Sequence, residues 1–114
     1  MVTVALTPRV VIPRVKTIAR YGLSVSEWMA ILTSQGGRCA VCGGLPASGK
    51  FCIDHEHVRG WKKMPSLHRK KYVRGIVCYP CNHHCLNKNM TLAKAEAVVA
   101  YLTRYAKNAA TLFS

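Results

Sequence analysis

The chain has 114 residues, with 17 Lys or Arg against 4 Asp or Glu and a formal net charge of +13. That length fits one small domain whose core gains from a metal staple, and the charge calls for a polyanionic partner, nucleic acid first. A membrane is excluded as that partner, because no run approaches the roughly 18 apolar residues of a span and the basic residues do not share one long amphipathic helix.

The opening MVTVALTPRVVIPRVK is broken by Pro8, Arg9, Pro13 and Arg14, so it does not read as a secretory leader. A reducing, cytoplasmic setting is expected. There the six cysteines serve as metal ligands or free thiols rather than disulfides. Residues 1–20, apolar and basic, predict an extended arm with at most one short strand. Its arginines either follow a nucleic-acid backbone or belong to a loosely packed terminus. Residues 21–114 form the single folded domain.

YGLSVSEWMAILTSQGG predicts a helix. Ser24 with Glu27 is a capping box. Val25, Trp28, Met29 and Leu32 fall on one face, with Trp28 in the core, and Gly36 and Gly37 end the helix. Cys39-Ala-Val-Cys42 and Cys78-Tyr-Pro-Cys81 follow, in the pattern C-x2-C-x35-C-x2-C. A two-residue gap lets one tight turn present two sulfurs, and two such pairs supply the tetrahedral thiolate set of a structural zinc. Cys52 and Cys85 are left over and read as small core residues.

FCIDHEH reads as a strand, and Lys71–Cys78, KYVRGIVC, as a second. A polar, basic connection with Gly60 and Pro65 joins them. NHHCLNKN after Cys81 suits a short helix, with Pro80 in its first turn. TLAKAEAVVAYLTRYAKNAA predicts a last helix, about Thr91–Lys107. Its stripe of Leu92, Ala95, Val99 and Leu102, flanked by Val98, Tyr101 and Tyr105, is expected mainly to cover the small core.

The chain's only aspartate, Asp54, and one of its glutamates, Glu56, alternate with His55 and His57. Acids repel polyanions, so a nucleic-acid-facing surface should concentrate them where a cation sits. Taken together, YGLSxxEW, QGGxCxVCG, IDHEH and VRGIVCxxCN resemble the recombination endonuclease VII family of HNH nucleases over roughly residues 21–88. The resemblance implies an α+β fold: a small, zinc-stapled ββα-metal (His-Me finger) core flanked by helices. It further implies a phage or prophage origin and work in the cytoplasm of a bacterial host. On the family pattern Asp54 and Asn82 hold a catalytic divalent ion and His55 is the general base. The later histidine of the broader HNH pattern is absent, since His83 and His84 directly follow Asn82, and no third ligand is assigned.

The implied chemistry is metal-dependent hydrolysis of DNA. A neutral imidazole, with an ordinary pKa of about 6.5, takes a proton from water near neutral pH. A carboxylate and an amide oxygen are hard ligands that favour Mg²⁺ or Mn²⁺ and leave positions open for phosphate. Neighbouring strand residues face opposite sides, so the strand is expected to bend, bulge or end at Asp54. His57 either orients its neighbours or touches phosphate. Glu56 and His68 read as solvated.

Arg59, Lys62, Lys63, Arg69, Lys70, Lys71 and Arg74, interleaved with Trp61 and Tyr72, form the expected DNA-contact run, with Trp61 available for stacking or wedging. The main rival is a non-catalytic, zinc-ribbon-like nucleic-acid-binding module, which has no use for Asp54, His55 and Asn82 together. A thiol-disulfide oxidoreductase gives no reason for the charge. The alanine-rich last helix buries little area, so a monomer or weak homodimer is expected.

Overall fold

The structure, a computed structural model, describes residues 10–112. Four helices and one antiparallel sheet of two strands follow in the order α1 (Val15–Arg20), α2 (Val25–Ser34), β1 (Cys52–His55), α3 (Ser66–Arg69), β2 (Val73–Val77) and α4 (Leu92–Leu112). Two short 3₁₀ turns, Trp61–Lys63 and Lys70–Tyr72, flank α3, and a π turn over Cys81–Cys85 follows β2. The connection between the strands is therefore largely helical turns rather than open loop.

The expected capping box forms. Ser24 Oγ accepts from the Glu27 amide at 3.1 Å, and Glu27 Oε1 accepts from the Ser24 amide at 2.9 Å. These bonds satisfy N–H groups that the first turn leaves unpaired. Trp28 and Leu32 of α2 are buried as expected, but Met29 is 47 % exposed and does not join them. Ile31 packs against the core instead, so the buried face is turned slightly from the one the spacing selects.

The core joins Ile18 of α1 and Leu23 to Trp28 and Leu32, Phe51 and Ile53, Ile76 and Val77, and three cysteines. Fully burying a side chain such as Ile18 or Ile76 is worth about 1.5–3 kcal/mol. Ile18 corrects the reading of residues 1–20 as an extended arm. Residues 10–14 form neither helix nor strand, with the Val11 amide bonded to the Gly49 carbonyl at 2.8 Å. Residues 15–20, free of proline, wind into a helix that buries Ile18 completely. Residues 1–9 of the expected arm lie outside the described residues.

β1 and β2 pair Cys52 with Val77, Ile53 with Ile76 and Asp54 with Gly75, then slip so that His55 meets Val73. The irregularity falls between Asp54 and His55, at the position where a bend, bulge or strand end is expected. On β2, Gln35 supplies the outer hydrogen bonds. Its Nε2 donates to the Ile76 carbonyl at 2.8 Å, and its Oε1 accepts from the Ile76 amide at 2.9 Å. The end of α2 thereby closes a strand edge that would otherwise be open.

Two features depart from expectation or explain it. Gly22 has φ +78°, and a Cβ there would overlap the Ser66 carbonyl oxygen, so the turn after α1 lies directly on α3. In α4, by contrast, Leu92, Val99, Tyr101, Leu102 and Tyr105 are all more than half exposed. The stripe assigned to covering the core does not do so, because Trp28, Ile18, Ile76 and Val77 already fill it.

Candidate active site and metal centre

The first knuckle turns at Cys39–Gly44, where the Gly43 amide bonds the Cys39 carbonyl and the Cys39 amide bonds that of Gly44, both at 3.0 Å. The second leaves the end of β2. All four Sγ atoms of Cys39, Cys42, Cys78 and Cys81 lie within 4.8 Å of one another, and those of Cys42 and Cys78 are 3.8 Å apart. A tetrahedral zinc with Zn–S bonds of about 2.3 Å has sulfur–sulfur edges of about 3.8 Å, so the donor set fits that ion. Backbone N–H groups also point at the sulfurs: Val41 and Cys78 donate to Cys39 at 3.4 and 3.3 Å, and Gly44 donates to Cys42 at 3.4 Å. Burial pushes the Cys39 thiol up, but the N–H groups of Cys42, Cys78 and Val41 prevail and bring it down to about 6. Burial beside the other thiols pushes Cys81 up. The Ala40 amide bonds the Ile76 carbonyl at 3.1 Å, tying this centre to the sheet that carries Asp54 and His55.

Asp54 is 4 % exposed, the only buried charged side chain among the described residues. Its carboxylate accepts from Arg74 Nε at 2.8 Å and Nη2 at 2.9 Å, a two-pronged pair within the sheet. A buried carboxylate persists only beside a matching cation, and here the cation comes from a residue counted in the DNA-contact run.

His55 is half-buried at the strand end. Its ring stacks on Trp61, with centroids 4.2 Å apart and planes at 19°. Tyr21 and His57 stand further off at 5.7 and 4.9 Å. Burial holds His55 below its ordinary 6.5, the nearby His57 acts in the same direction and Asp54 opposes it. The imidazole is therefore neutral over a wider range than a free one. His57 Nε2 lies 3.3 Å from the Leu86 carbonyl oxygen.

Two hollows meet at these histidines. One is lined by Val58, Arg59, Gly60, Trp61, Lys62 and Lys63, the other by Ile53, Asn82, His83, Leu86, Asn87 and Lys88, and both by His55 and His57. The structure thus brings His55 and Asn82 to one hollow. Asp54 lines neither, being held by Arg74. Asn82 lies close to the Cys52 thiol, which burial pushes up, so Cys52 sits beside the candidate ligand; Cys85, expected in the core, is exposed instead.

The basic run divides in two. Arg59, Lys62 and Lys63 are exposed around the first hollow, and Lys71 is exposed with its ammonium 5.3 Å from the Tyr72 ring centre. The others have internal partners: Lys70 pairs with Glu27, Arg74 with Asp54 and Trp61 with His55. Arg69 donates to the carbonyls of Trp61, Arg20 and Lys62 at 3.1, 2.9 and 2.9 Å, with its guanidinium 4.3 Å from the Trp61 ring centre. Sequence reasoning missed these partners, which lie in distant segments or on the backbone.

Four convergent thiols in a small α+β frame, beside a histidine-lined hollow rimmed by Arg59, Lys62 and Lys63, define a small α+β protein with a candidate metal centre. Residues 14–104 match the family model of recombination endonuclease VII, and the chain belongs to that family. The match extends beyond the residues 21–88 that carry the motifs. The chain is 35 % identical over 74 residues to the Gene 59 protein of Mycobacterium phage D29, and 34 % identical over 74 residues to the Gene 59 protein of Mycobacterium phage L5. Each alignment covers 62 % of this chain and 37 % of the relative, so the matched part spans little more than a third of those proteins. No solved structure matches the chain significantly. No helix among the described residues is long and apolar enough to cross a membrane.

Proposed function

We propose that the chain is a metal-dependent DNA endonuclease of the HNH type. The observation that carries the reading is the strand break between Asp54 and His55. It sets a buried carboxylate, held by Arg74, behind a half-buried imidazole whose proton affinity is reduced, and that imidazole lines a hollow rimmed by Arg59, Lys62 and Lys63. The antiparallel pair β1–β2 followed by the helical segment at residues 79–85 supports a ββα-metal core. Family membership supports phosphodiester hydrolysis.

In this reading His55 takes the proton from the attacking water. Asp54 and Asn82 supply oxygen donors to a divalent ion, Mg²⁺ or Mn²⁺. Their fit to a hard cation rests on the donor chemistry and on Asp54 already being held by a positive group. When bound, that ion polarises the phosphate and neutralises charge on the leaving oxygen. Arg59, Lys62, Lys63 and Lys71 contact the phosphate backbone without reading bases, and the cysteine-bound zinc holds the fold.

The test is a supercoiled-plasmid time course with Mg²⁺ or Mn²⁺, beside DNA binding by anisotropy. Wild type should nick, and His55→Ala should bind DNA normally and not cut. Binding without metal-dependent cleavage by wild type would make the chain a zinc-stapled binding module instead.

A further inference from the structure

From the geometry we infer that Trp61 is a positioning residue that orients the His55 ring for its work as base, and that Arg69 clamps Trp61 in place. This rests on the proposed role of His55.

A histidine at a strand end can rotate about χ1 and χ2, and a general base must stay within hydrogen-bond reach of the water it activates. Histidines in such roles are commonly oriented by a hydrogen bond from the second ring nitrogen to a carboxylate or carbonyl. Among the described residues His55 makes no such bond, although its neighbour His57 reaches the Leu86 carbonyl. What meets the His55 ring is the indole of Trp61, nearly parallel and 4.2 Å away, with Tyr21 set against both rings at 5.7 and 5.5 Å. Stacking fixes the plane of the imidazole and leaves both nitrogens available for proton transfer.

Trp61 is itself held. Arg69 spends three nitrogens on the carbonyls of Trp61, Lys62 and Arg20, and its guanidinium lies over the indole. The clamp joins α3 to the end of α1 and to the 3₁₀ turn that carries Trp61. The indole Nε1 is buried without a hydrogen-bond partner, a cost of about 1–3 kcal/mol. A DNA wedge, the role the sequence suggested, requires an indole face free of protein, and this one lies against His55 and Arg69.

The experiment compares Trp61→Leu, which keeps an apolar side chain but removes the ring, with Trp61→Phe, which keeps a stacking surface, and with Arg69→Gln. Single-turnover cleavage, DNA affinity, melting temperature and the NMR shifts of the His55 ring protons are measured on each full chain. In wild type, those protons should be shifted upfield by the indole ring current, and Trp61→Leu should return them toward ordinary values. Trp61→Leu should lower the single-turnover rate by about 10- to 100-fold, the scale of a small misplacement of a catalytic group, with DNA affinity unchanged. Trp61→Phe should recover most of the rate, and Arg69→Gln should fall between them. Unshifted His55 protons in wild type would overturn the stack whether or not any variant folds. A wild-type rate in Trp61→Leu, or weaker DNA binding with an unchanged rate, would return Trp61 to the role of DNA contact. If His55→Ala cuts at the wild-type rate while the ring-current shift is present, the base assignment fails and the stack stands.

Discussion

Arg74→Gln tests the centre of the site, because it removes the cation that holds Asp54. The carboxylate is 4 % exposed and bound through both oxygens. Taking one partner from a fully buried pair costs about 3–5 kcal/mol. The Arg74 side chain is 39 % exposed, so water replaces part of the lost interaction, and about 1.5–3 kcal/mol is the reasonable range for the zinc-loaded protein without Mn²⁺. For a domain of this size that lowers the melting temperature by roughly 5–12 °C. Mn²⁺ reverses the order of effects. In wild type an ion reaching Asp54 must displace Arg74, and in the variant it meets an uncompensated carboxylate. Each 1.4 kcal/mol released is about tenfold in affinity, so Arg74→Gln should bind Mn²⁺ roughly tenfold more tightly. It should also regain in Mn²⁺ most of the stability it loses as zinc-loaded protein without Mn²⁺. Calorimetric titration and melting with and without Mn²⁺ read both effects. A variant that loses stability and gains no Mn²⁺ affinity would show that Asp54 is a structural anion rather than an ion ligand.

Cys39→Ser or Cys78→Ser should remove bound zinc and most cooperative folding, since metal-binding energy is folding energy in such sites; elemental analysis of wild type should give about one zinc per chain. The acid limb of the cleavage rate should have its midpoint below pH 6.5, because burial lowers His55. The same shift means the unfolded chain takes the proton more readily, so the His55 contribution to stability is complete above 6.5 and fades as pH falls through the folded value. Replacing Lys62 and Lys63 by Gln should weaken DNA binding evenly across sequences and reduce the slope of log affinity against log salt by about two. Lys70→Gln, which breaks the pair with Glu27, should leave that slope nearly unchanged.

The line between what the sequence discloses and what it hides follows the range of the interaction. The capping box, the paired CxxC knuckles and the strand break after Asp54 each depend on residues a few positions apart or on one chemical requirement, and each is legible. The fates of Arg69, Arg74 and Trp61 are not, because a run of charges gives no sign that backbone carbonyls or a buried carboxylate will claim some of its members. The solvent-facing stripe of α4 is hidden for a related reason: periodicity names a face but not whether the core has room for it. Gly22 allows a measurement of this long-range component. Gly36 has nearly the same backbone conformation, φ +73° against +78°, but a Cβ there meets nothing within 4 Å, whereas at Gly22 it meets the Ser66 carbonyl and the Lys70 amide. Gly36→Ala should therefore cost only the left-handed strain, about 1 kcal/mol. Gly22→Ala adds the displacement of α3 and should cost about 2–4 kcal/mol. Because Tyr21 and Arg20 sit beside it against the His55, Trp61 and Arg69 group, Gly22→Ala should also slow cleavage at temperatures where it remains folded, and Gly36→Ala should not. Equal losses of stability in the two variants would show that the turn after α1 does not bear on α3 in solution, and the support of the His55 stack from that side would have to be abandoned.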